Sequence, residues 1–157
     1  YESALVEATT LAGETKTSKS FVEIAQYYLS KGDKNKALEY YEQALALESD
    51  DFGVLRNILL LHIDLMQYDE AALKSKKALD KYPSMPIIYL INGVALNKLK
   101  RAEEAVSILE AGLDYIIDDT KMEIDFYNQL SIGYTLLNNE SKAKAFSDKA
   151  KKLENPN

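Results

Sequence analysis

Residues 21–44 read FVEIAQYYLSKGDKNKALEYYEQA, and this stretch decides the fold. Its first half carries residues at spacings of three and four, which is one face of a helix: Phe21, Ile24, Ala25 and Tyr28. Its second half, with the residue that follows it, repeats the spacing: Ala37, Tyr41, Ala44 and Leu45. Between the halves, Lys31-Gly32-Asp33 combines a helix stop with an N-cap candidate. The stretch therefore predicts two antiparallel helices joined by a short turn.

The same pattern returns along the chain with a fixed period. Ala37, Ala71 and Ala105 are evenly spaced, and Ala143 follows after an interval that is longer by four. Seven residues after each comes a second small residue: Ala44, Ala78, Gly112 and Ala150. Sixteen residues before each comes a large apolar one: Phe21, Leu55, Tyr89 and Tyr127. A period of about 34 residues indicates stacked units that bury their apolar faces against one another.

The order of residue types, aromatic, aliphatic, small, aromatic, then alanine, aromatic, alanine, with Pro83 closing the second unit, resembles the tetratricopeptide repeat. The resemblance implies an all-α fold, an α-solenoid of stacked antiparallel helix pairs in a right-handed superhelix. It covers about four repeats: 18–51, 52–85, 86–119 and 120–153. The expected helices are 18–31, 34–48, 52–65, 69–82, 86–98, 102–117, 122–137 and 140–153. Residues 154–157 form a C-terminal tail.

Several positions depart from the family pattern. Leu59 stands at the small position of the second repeat, and Ser75 and Ser147 stand at the aromatic position of the second and fourth repeats. The four extra residues fall within 114–124, where we expect a longer helix or a loop because four residues are about one helical turn.

The N-terminal segment, residues 1–17, also has an apolar helical face, formed by Ala4, Leu5, Ala8 and Leu11. Ala4 precedes Ala37 by nearly one repeat period, which suggests the second helix of a preceding, truncated repeat. The alternative is a free helix that caps the stack or lies in its groove.

Composition and charge limit the class of protein. With 157 residues, 46% of them apolar, the chain is expected to form one compact unit. A net charge of −6 and a pI near 4.9 disfavour binding to nucleic acid or anionic lipid, since both need a positive surface. No cysteine and one histidine exclude thiolate and multi-histidine metal sites, and no cofactor is expected.

Compartment and topology follow from similar observations. The longest apolar stretch, residues 87–96, is interrupted by Asn92 and is shorter than the ~20 residues that span a bilayer, so no membrane span is predicted. No sequence of signal-peptide form follows Tyr1. A cytoplasmic location is favoured, and a periplasmic or secreted mature form stays open.

Candidate catalytic features each have a simpler structural interpretation, and we expect no enzyme. Residues 13–20 imitate a phosphate-binding loop but have Ser18 where the second glycine belongs. His62 occupies the repeat position that is filled elsewhere by Tyr28, Leu96 and Tyr134, which predicts a packed side chain. The pairs Glu103/Glu104 and Asp118/Asp119 are sequence neighbours, so they do not face each other across a cleft.

In the family, the first helices of successive repeats line a groove in which a partner peptide or helix lies. The resemblance assigns the following residues to that groove: Val22, Gln26, Leu29, Arg56, Leu60, Ile63, Asp64, Leu90, Val94, Asn97, Lys98, Asn128, Ile132 and Leu136. Co-chaperone members hold a carboxylate with a lysine-asparagine-lysine clamp, but Val22 and Gln26 replace its first two residues here. An aliphatic floor with few charges favours an apolar or amphipathic segment.

Three occupants of this groove remain open. One is a peptide or helix of another protein, the second is the protein's own N-terminal helix, and the third is a second subunit in a homo-oligomer. The predicted function is a protein-interaction scaffold, and the alternative is a self-associating assembly module.

Overall fold

A computed structural model describes Val6, Thr10 and residues 16–155. Its contacts divide the chain into two compact units, Tyr1–Met66 and Gln67–Asn157, where composition predicted one. In stacked helical repeats each helix contacts only its neighbours, so the chain does not need a single central core. The division falls inside the predicted second repeat, 52–85. The apolar face predicted from Ala4, Leu5, Ala8 and Leu11 lies outside the described residues.

Residues 16–66 of the first unit contain three helices, α1 (Ser18–Ser30), α2 (Lys34–Leu47) and α3 (Phe52–Asp64). Helices α1 and α2 pack as an antiparallel pair, and α3 packs against α2. All three contribute to one apolar core, whose members include Phe21, Ile24, Tyr41, Val54 and Ile58. Residues 21–44 therefore fold as predicted, as two antiparallel helices joined by a short turn.

The described part of the second unit contains five helices: α4 (Tyr68–Lys81), α5 (Pro86–Lys98), α6 (Ala102–Leu113), α7 (Thr120–Leu136) and α8 (Glu140–Glu154). The pairs α5/α6 and α7/α8 are antiparallel hairpins. Helix α4 packs against α5, and α7 packs against both α5 and α6. Every regular element in the described ranges is a helix, so the all-α helical-repeat fold class is confirmed.

Helix starts follow the capping residues in the sequence. The Asp33 side chain accepts a hydrogen bond from the Lys36 backbone N–H at 3.0 Å, as expected of an N-cap. At the start of α1, Thr17 Oγ1 accepts from the Ser20 backbone N–H at 3.1 Å, and Ser20 Oγ accepts from the Thr17 N–H at 3.3 Å. This capping box shows that the described part of the phosphate-loop-like stretch begins a helix.

The turns within the helix hairpins share one backbone device. Gly32, Lys100 and Asn138 lie at the same repeat position and have φ of 78°, 62° and 56°, the left-handed region. In each turn the next backbone N–H donates at 2.9 Å to the carbonyl five residues before it: Asp33 to Tyr28, Arg101 to Leu96 and Asn139 to Tyr134. This bond satisfies a carbonyl that the ending helix leaves without a partner. Met66, with φ of 57°, continues the series in the first unit.

Small residues lie at buried positions, as the repeat predicts. Ala37, Ala71 and Ala105 have no exposed surface. At Gly112 an added Cβ would lie 2.5 Å from Tyr89 Cβ and 2.7 Å from Phe126 Cε1, so only glycine allows this approach. The small positions therefore set how closely neighbouring helices pack.

The largest difference from the predicted helix bounds is at α6, which ends at Leu113 rather than at residue 117. The extra residues form a loop, and the Asp119 side chain then caps α7 by accepting from the Met122 N–H at 2.9 Å. Loop residues still pack, because the Tyr115 ring stacks on Tyr89 with centroids 5.3 Å apart. Apolar residues that resembled a continuing helix face thus contact the core from a loop.

Candidate functional site

The predicted groove residues of the first unit lie on α1 and α3. On α1, Leu29 is 37% exposed, Gln26 is exposed, and Val22 is half-buried against the core. On α3, Leu60 is 41% exposed and Ile63 is half-buried. These positions recur every three to four residues, so each helix presents them on one face. We call these surfaces, together with those of α5 and α7 below, the first-helix faces.

Two charged residues on α3 border these apolar side chains. Arg56 and Asp64 are exposed. Asp64 Oδ2 accepts a hydrogen bond from Lys34 Nζ at 3.1 Å, which links the end of α3 to the start of α2. Because both side chains are about half exposed, this ion pair contributes little to stability.

The α5 residues differ most from their predicted placement. Lys98 is exposed and Val94 is half-buried, but Leu90 is only 9% exposed and belongs to the apolar core of the second unit. Helix α5 packs against α4, α6 and α7, so most of its circumference is covered. Its sequence, PIIYLINGVALNK, is apolar nearly all round, which is typical of a buried helix. That signal could have predicted the burial of Leu90.

Asn97 is also buried, with 4% of its surface exposed. Its Nδ2 donates to the Gln129 backbone carbonyl at 3.0 Å and to Gln129 Oε1 at 3.1 Å, so it links α5 to α7. An added Cβ at Gly133 would lie 3.2 Å from Asn97 Oδ1 and 2.6 Å from Val106 Cγ1. Asn97 therefore joins two first helices at a close approach instead of facing outward.

The α7 residues include the most exposed apolar side chain of the predicted set. Ile132 is 46% exposed, Asn128 is exposed, and Leu136 is half-buried. Since α5 and α7 pack together, Ile132 and Val94 lie on neighbouring helices of one unit. The second unit thus presents an apolar first-helix face with Lys98 as its charged member.

Two tyrosines of α7 are engaged by carboxylates. Tyr134 donates to Glu110 Oε1 at 2.5 Å, and Tyr127 donates to Glu123 Oε1 at 2.7 Å. Burial of each phenol, followed by the neighbouring carboxylate, raises the pKa of both tyrosines to about 12. Both rings contact Phe146 of α8, with ring centroids 5.7 Å away for Tyr134 and 5.9 Å away for Tyr127, so they stabilise the last hairpin.

The residues considered for catalysis occupy structural positions. His62 is buried, and its Nε2 lies 3.8 Å from Glu42 Oε1. Glu103 and Glu104 lie in the first turn of α6, and Asp119 is the cap of α7. Within the described ranges, no group of three His, Asp or Glu side chains is arranged to hold a metal ion. None of the described helices has the length and apolar content needed to cross a bilayer.

A concave surface lies in the second unit, away from the predicted groove residues. It is a cleft of about 760 Å³ flanked by α4 and α6, with Asn92 and Leu96 of α5 among its lining residues. The sequence carried two signals of it, the polar Asn92 inside an apolar run and the departure at Ser75. Their connection becomes visible only in the structure, where Asn92 Nδ2 donates to Ser75 Oγ at 2.8 Å.

Comparison with solved structures identifies proteins of the same fold. The chain resembles MamA 41-end from Desulfovibrio magneticus RS-1, with a TM-score of 0.82, 17% identity and coverage of 98% of this chain and 85% of that chain. For MamA from AMB-1 the TM-score is 0.74 at 21% identity, with coverage of 87% of this chain and 79% of that chain. For TTC0263, a thermophilic TPR protein in Thermus thermophilus, the TM-score is 0.69 at 20% identity, with coverage of 88% of this chain and 75% of that chain. At these identities the similarity concerns the fold alone.

Sequence comparison supplies the family. No curated protein sequence matches the chain. The tetratricopeptide repeat pattern, however, matches residues 2–152. This match covers nearly all of the range 18–153, in which the spacing of alanines and aromatics predicted helical repeats. The chain therefore belongs to the tetratricopeptide repeat family.

Proposed function

We propose that the chain is a scaffold that binds a peptide or helix of another protein on its first-helix faces. Its family and its fold support a protein-interaction scaffold in general. The observation that carries the finer proposal is the exposure of Leu60 in the first unit and Ile132 in the second, at positions where a soluble surface would favour polar residues.

The chemistry of these faces suits an apolar or amphipathic partner. Val22 and Ile63 on the first-helix faces of the first unit are half-buried, as are Val94 and Leu136 on those of the second. Charged groups are few, and Asp64 is already paired with Lys34. An amphipathic helix can place its apolar side chains on such a surface and keep its polar side in water.

The positions of the histidine and of the paired carboxylates argue against a catalytic role. The one histidine is buried beside Glu42, and the paired carboxylates begin helices, where negative charge is favourable. A base that acts on a substrate must lie within hydrogen-bond reach of it, which a buried His62 does not offer. These placements support the proposal that the protein binds without chemistry.

The test uses helical peptides selected from an amphipathic library against the wild-type chain. Leu60→Glu and Ile132→Glu place a charge on the faces of the first and second units. Together they should lower peptide affinity at least tenfold, about 1.4 kcal/mol, as measured by calorimetric titration. Leu47→Glu and Ile117→Glu are matched controls, since both residues are exposed and lie outside the first-helix faces.

Equal binding by the double variant and the wild type, with helical content retained, would exclude these faces as the site. Light scattering separates the alternative occupant. If Leu60→Glu or Ile132→Glu converts an oligomer into a monomer and no peptide is selected, the faces are covered by a second copy instead.

A further inference from the structure

The cleft in the second unit lies between two second helices, so it is distinct from the first-helix faces. Its walls are formed by α4 and α6, which both pack against α5. The lining residues are Asp69, Ala72, Leu73, Lys76, Asn92, Leu96, Arg101, Glu103, Glu104, Ser107, Ile108 and Ala111. Leu73 is 68% exposed, which leaves a large apolar side chain beside the opening.

The cleft has room because α4 carries small residues. Ala72 lines it and stands one repeat period after Leu38, the larger side chain at that position of α2. Ser75 stands in the same way after Tyr41. Both replacements shorten the side chains that α4 presents, whereas α2 fills this space with Leu38 and Tyr41 in the core of the first unit.

Asn92 gives the cleft a fixed polar group. It is only 4% exposed, at a repeat position that is apolar elsewhere: Ile24, Ile58 and Leu130. Its Nδ2 donates to the Ala72 carbonyl at 2.9 Å and to Ser75 Oγ at 2.8 Å, which fixes the orientation of the amide. Its Oδ1 accepts no hydrogen bond from the described residues and is not fully enclosed by protein atoms. Because this oxygen keeps some accessible surface, a donor that enters the cleft can hydrogen-bond to it.

The charged residues that line the cleft are three carboxylates, Asp69, Glu103 and Glu104, and two cations, Lys76 and Arg101. Arg101 donates to both oxygens of Glu104 at 2.8 and 2.7 Å, and this pairing lowers the pKa of the Glu104 carboxyl, with a smaller contribution from the charge of Lys76. The pKa of the Arg101 guanidinium is raised mainly by its bond to Glu104, and the charge of Asp69 adds to this. Glu103 is exposed and forms no ion pair with a described residue. The lining therefore carries one more negative charge than positive charges, which favours a cationic ligand.

We propose that this cleft binds an arginine side chain of a partner protein. Its three methylene groups lie along Leu73, Leu96 and Ile108, its guanidinium donates to Asn92 Oδ1, and its charge is balanced by Glu103. Arginine fits because its planar head carries five N–H donors, so one side chain can serve a carbonyl and a carboxylate together. Burying its alkyl stem while the head reaches polar atoms is the usual behaviour of this residue.

The probe is an acetylated, amidated Leu-Arg-Leu peptide, compared with the same peptide carrying citrulline or norleucine. Citrulline keeps N–H donors without the charge, and norleucine keeps only the stem. In a titration followed by NMR shifts of the α4, α5 and α6 amides, the arginine peptide should bind at least tenfold more tightly than norleucine and several-fold more tightly than citrulline. Equal binding by norleucine, or by citrulline, overturns the proposal.

Variants locate the site independently of the first-helix faces. Glu103→Gln should reduce arginine-peptide affinity several-fold, and Ala72→Leu, which fills the cleft, should abolish the shifts. Glu140→Gln is the matched control, since Glu140 is also an exposed first-turn carboxylate, on α8. If Ala72→Leu unfolds the chain, Asn92→Leu removes the acceptor and should weaken arginine selectively. Unchanged affinity in folded Glu103→Gln and Asn92→Leu overturns the assignment, and leaves the proposed function untouched.

Discussion

The contact of α2 with α3 in the first unit and that of α4 with α5 in the second use the same repeat positions with different chemistry. The first is apolar and uses Leu38, Tyr41 and Ile58. The second, one repeat period later at each position, uses Ala72, Ser75 and Asn92. All six side chains are buried. The register thus fixes where a side chain lies, whereas its neighbours decide whether a polar group is tolerated there.

In the second unit the polar residues satisfy each other. Ser75 Oγ donates to the Ala71 carbonyl at 2.5 Å and accepts from Asn92 Nδ2 at 2.8 Å. A buried amide without such partners would cost about 1–3 kcal/mol. The serine at position 75 and the asparagine at position 92 therefore compensate each other.

The largest expected effect comes from exchanging the two chemistries. Ile58→Asn should lower the free energy of unfolding by roughly 3–5 kcal/mol, because it removes apolar burial and leaves an amide among the apolar side chains of the first unit. Asn92→Leu should change it by no more than about 1.5 kcal/mol, since Ser75 keeps its bond to Ala71. Urea unfolding followed by circular dichroism measures both, and equal losses would contradict the comparison.

The turns offer a smaller test. Gly32 in the first unit and Lys100 in the second share a left-handed backbone, which disfavours a side chain by about 1–2 kcal/mol. Lys100→Gly should therefore stabilise the chain by about 1 kcal/mol and Gly32→Ala should destabilise it by a similar amount. Lys98→Gly serves as the control, because this helical residue should lose about 1 kcal/mol. If Gly32→Ala and Lys100→Gly changed the free energy of unfolding in the same direction, the two turns would not share this backbone conformation.

The smallest effect at neutral pH concerns tyrosine ionisation. Tyr134 has a pKa of about 12 in the folded chain against 10.0 for an ordinary tyrosine. Because the folded pKa is the higher one, its stabilisation is complete below pH 10 and is lost as pH rises toward 12. The urea midpoint should fall over that window, and less steeply in Tyr134→Phe. Identical slopes would show that Tyr134 does not govern alkaline unfolding of the second unit.

Sequence reasoning reached the helices and the repeat register because both are encoded locally. Gly32, Asp33 and the spaced alanines predict a turn, a cap and a close contact within one repeat. The predicted end of α6 at residue 117 was wrong because Tyr115 and Ile116 are apolar residues that pack from a loop. Local periodicity does not distinguish these two ways of reaching a core.

The candidate sites were less predictable, since they depend on contacts between helices. The family groove suggested Leu90 and Asn97 as facing outward, but both are buried where α5 meets its neighbours. Asn92 and Ser75 were each conspicuous in the sequence. Asn92 donates to Ser75, 17 residues before it, only because α4 packs on α5.

Within each unit, helices contact partners that are adjacent, or nearly adjacent, along the chain. A chain with such local contacts has a low contact order, so little loop entropy opposes the first encounters during folding. Each capped hairpin can act as a starting point, and structure can spread from it to the next helix. Amide hydrogen exchange should accordingly reveal separate opening events, with slow exchange in α5, which is covered by three helices, and faster exchange in α8.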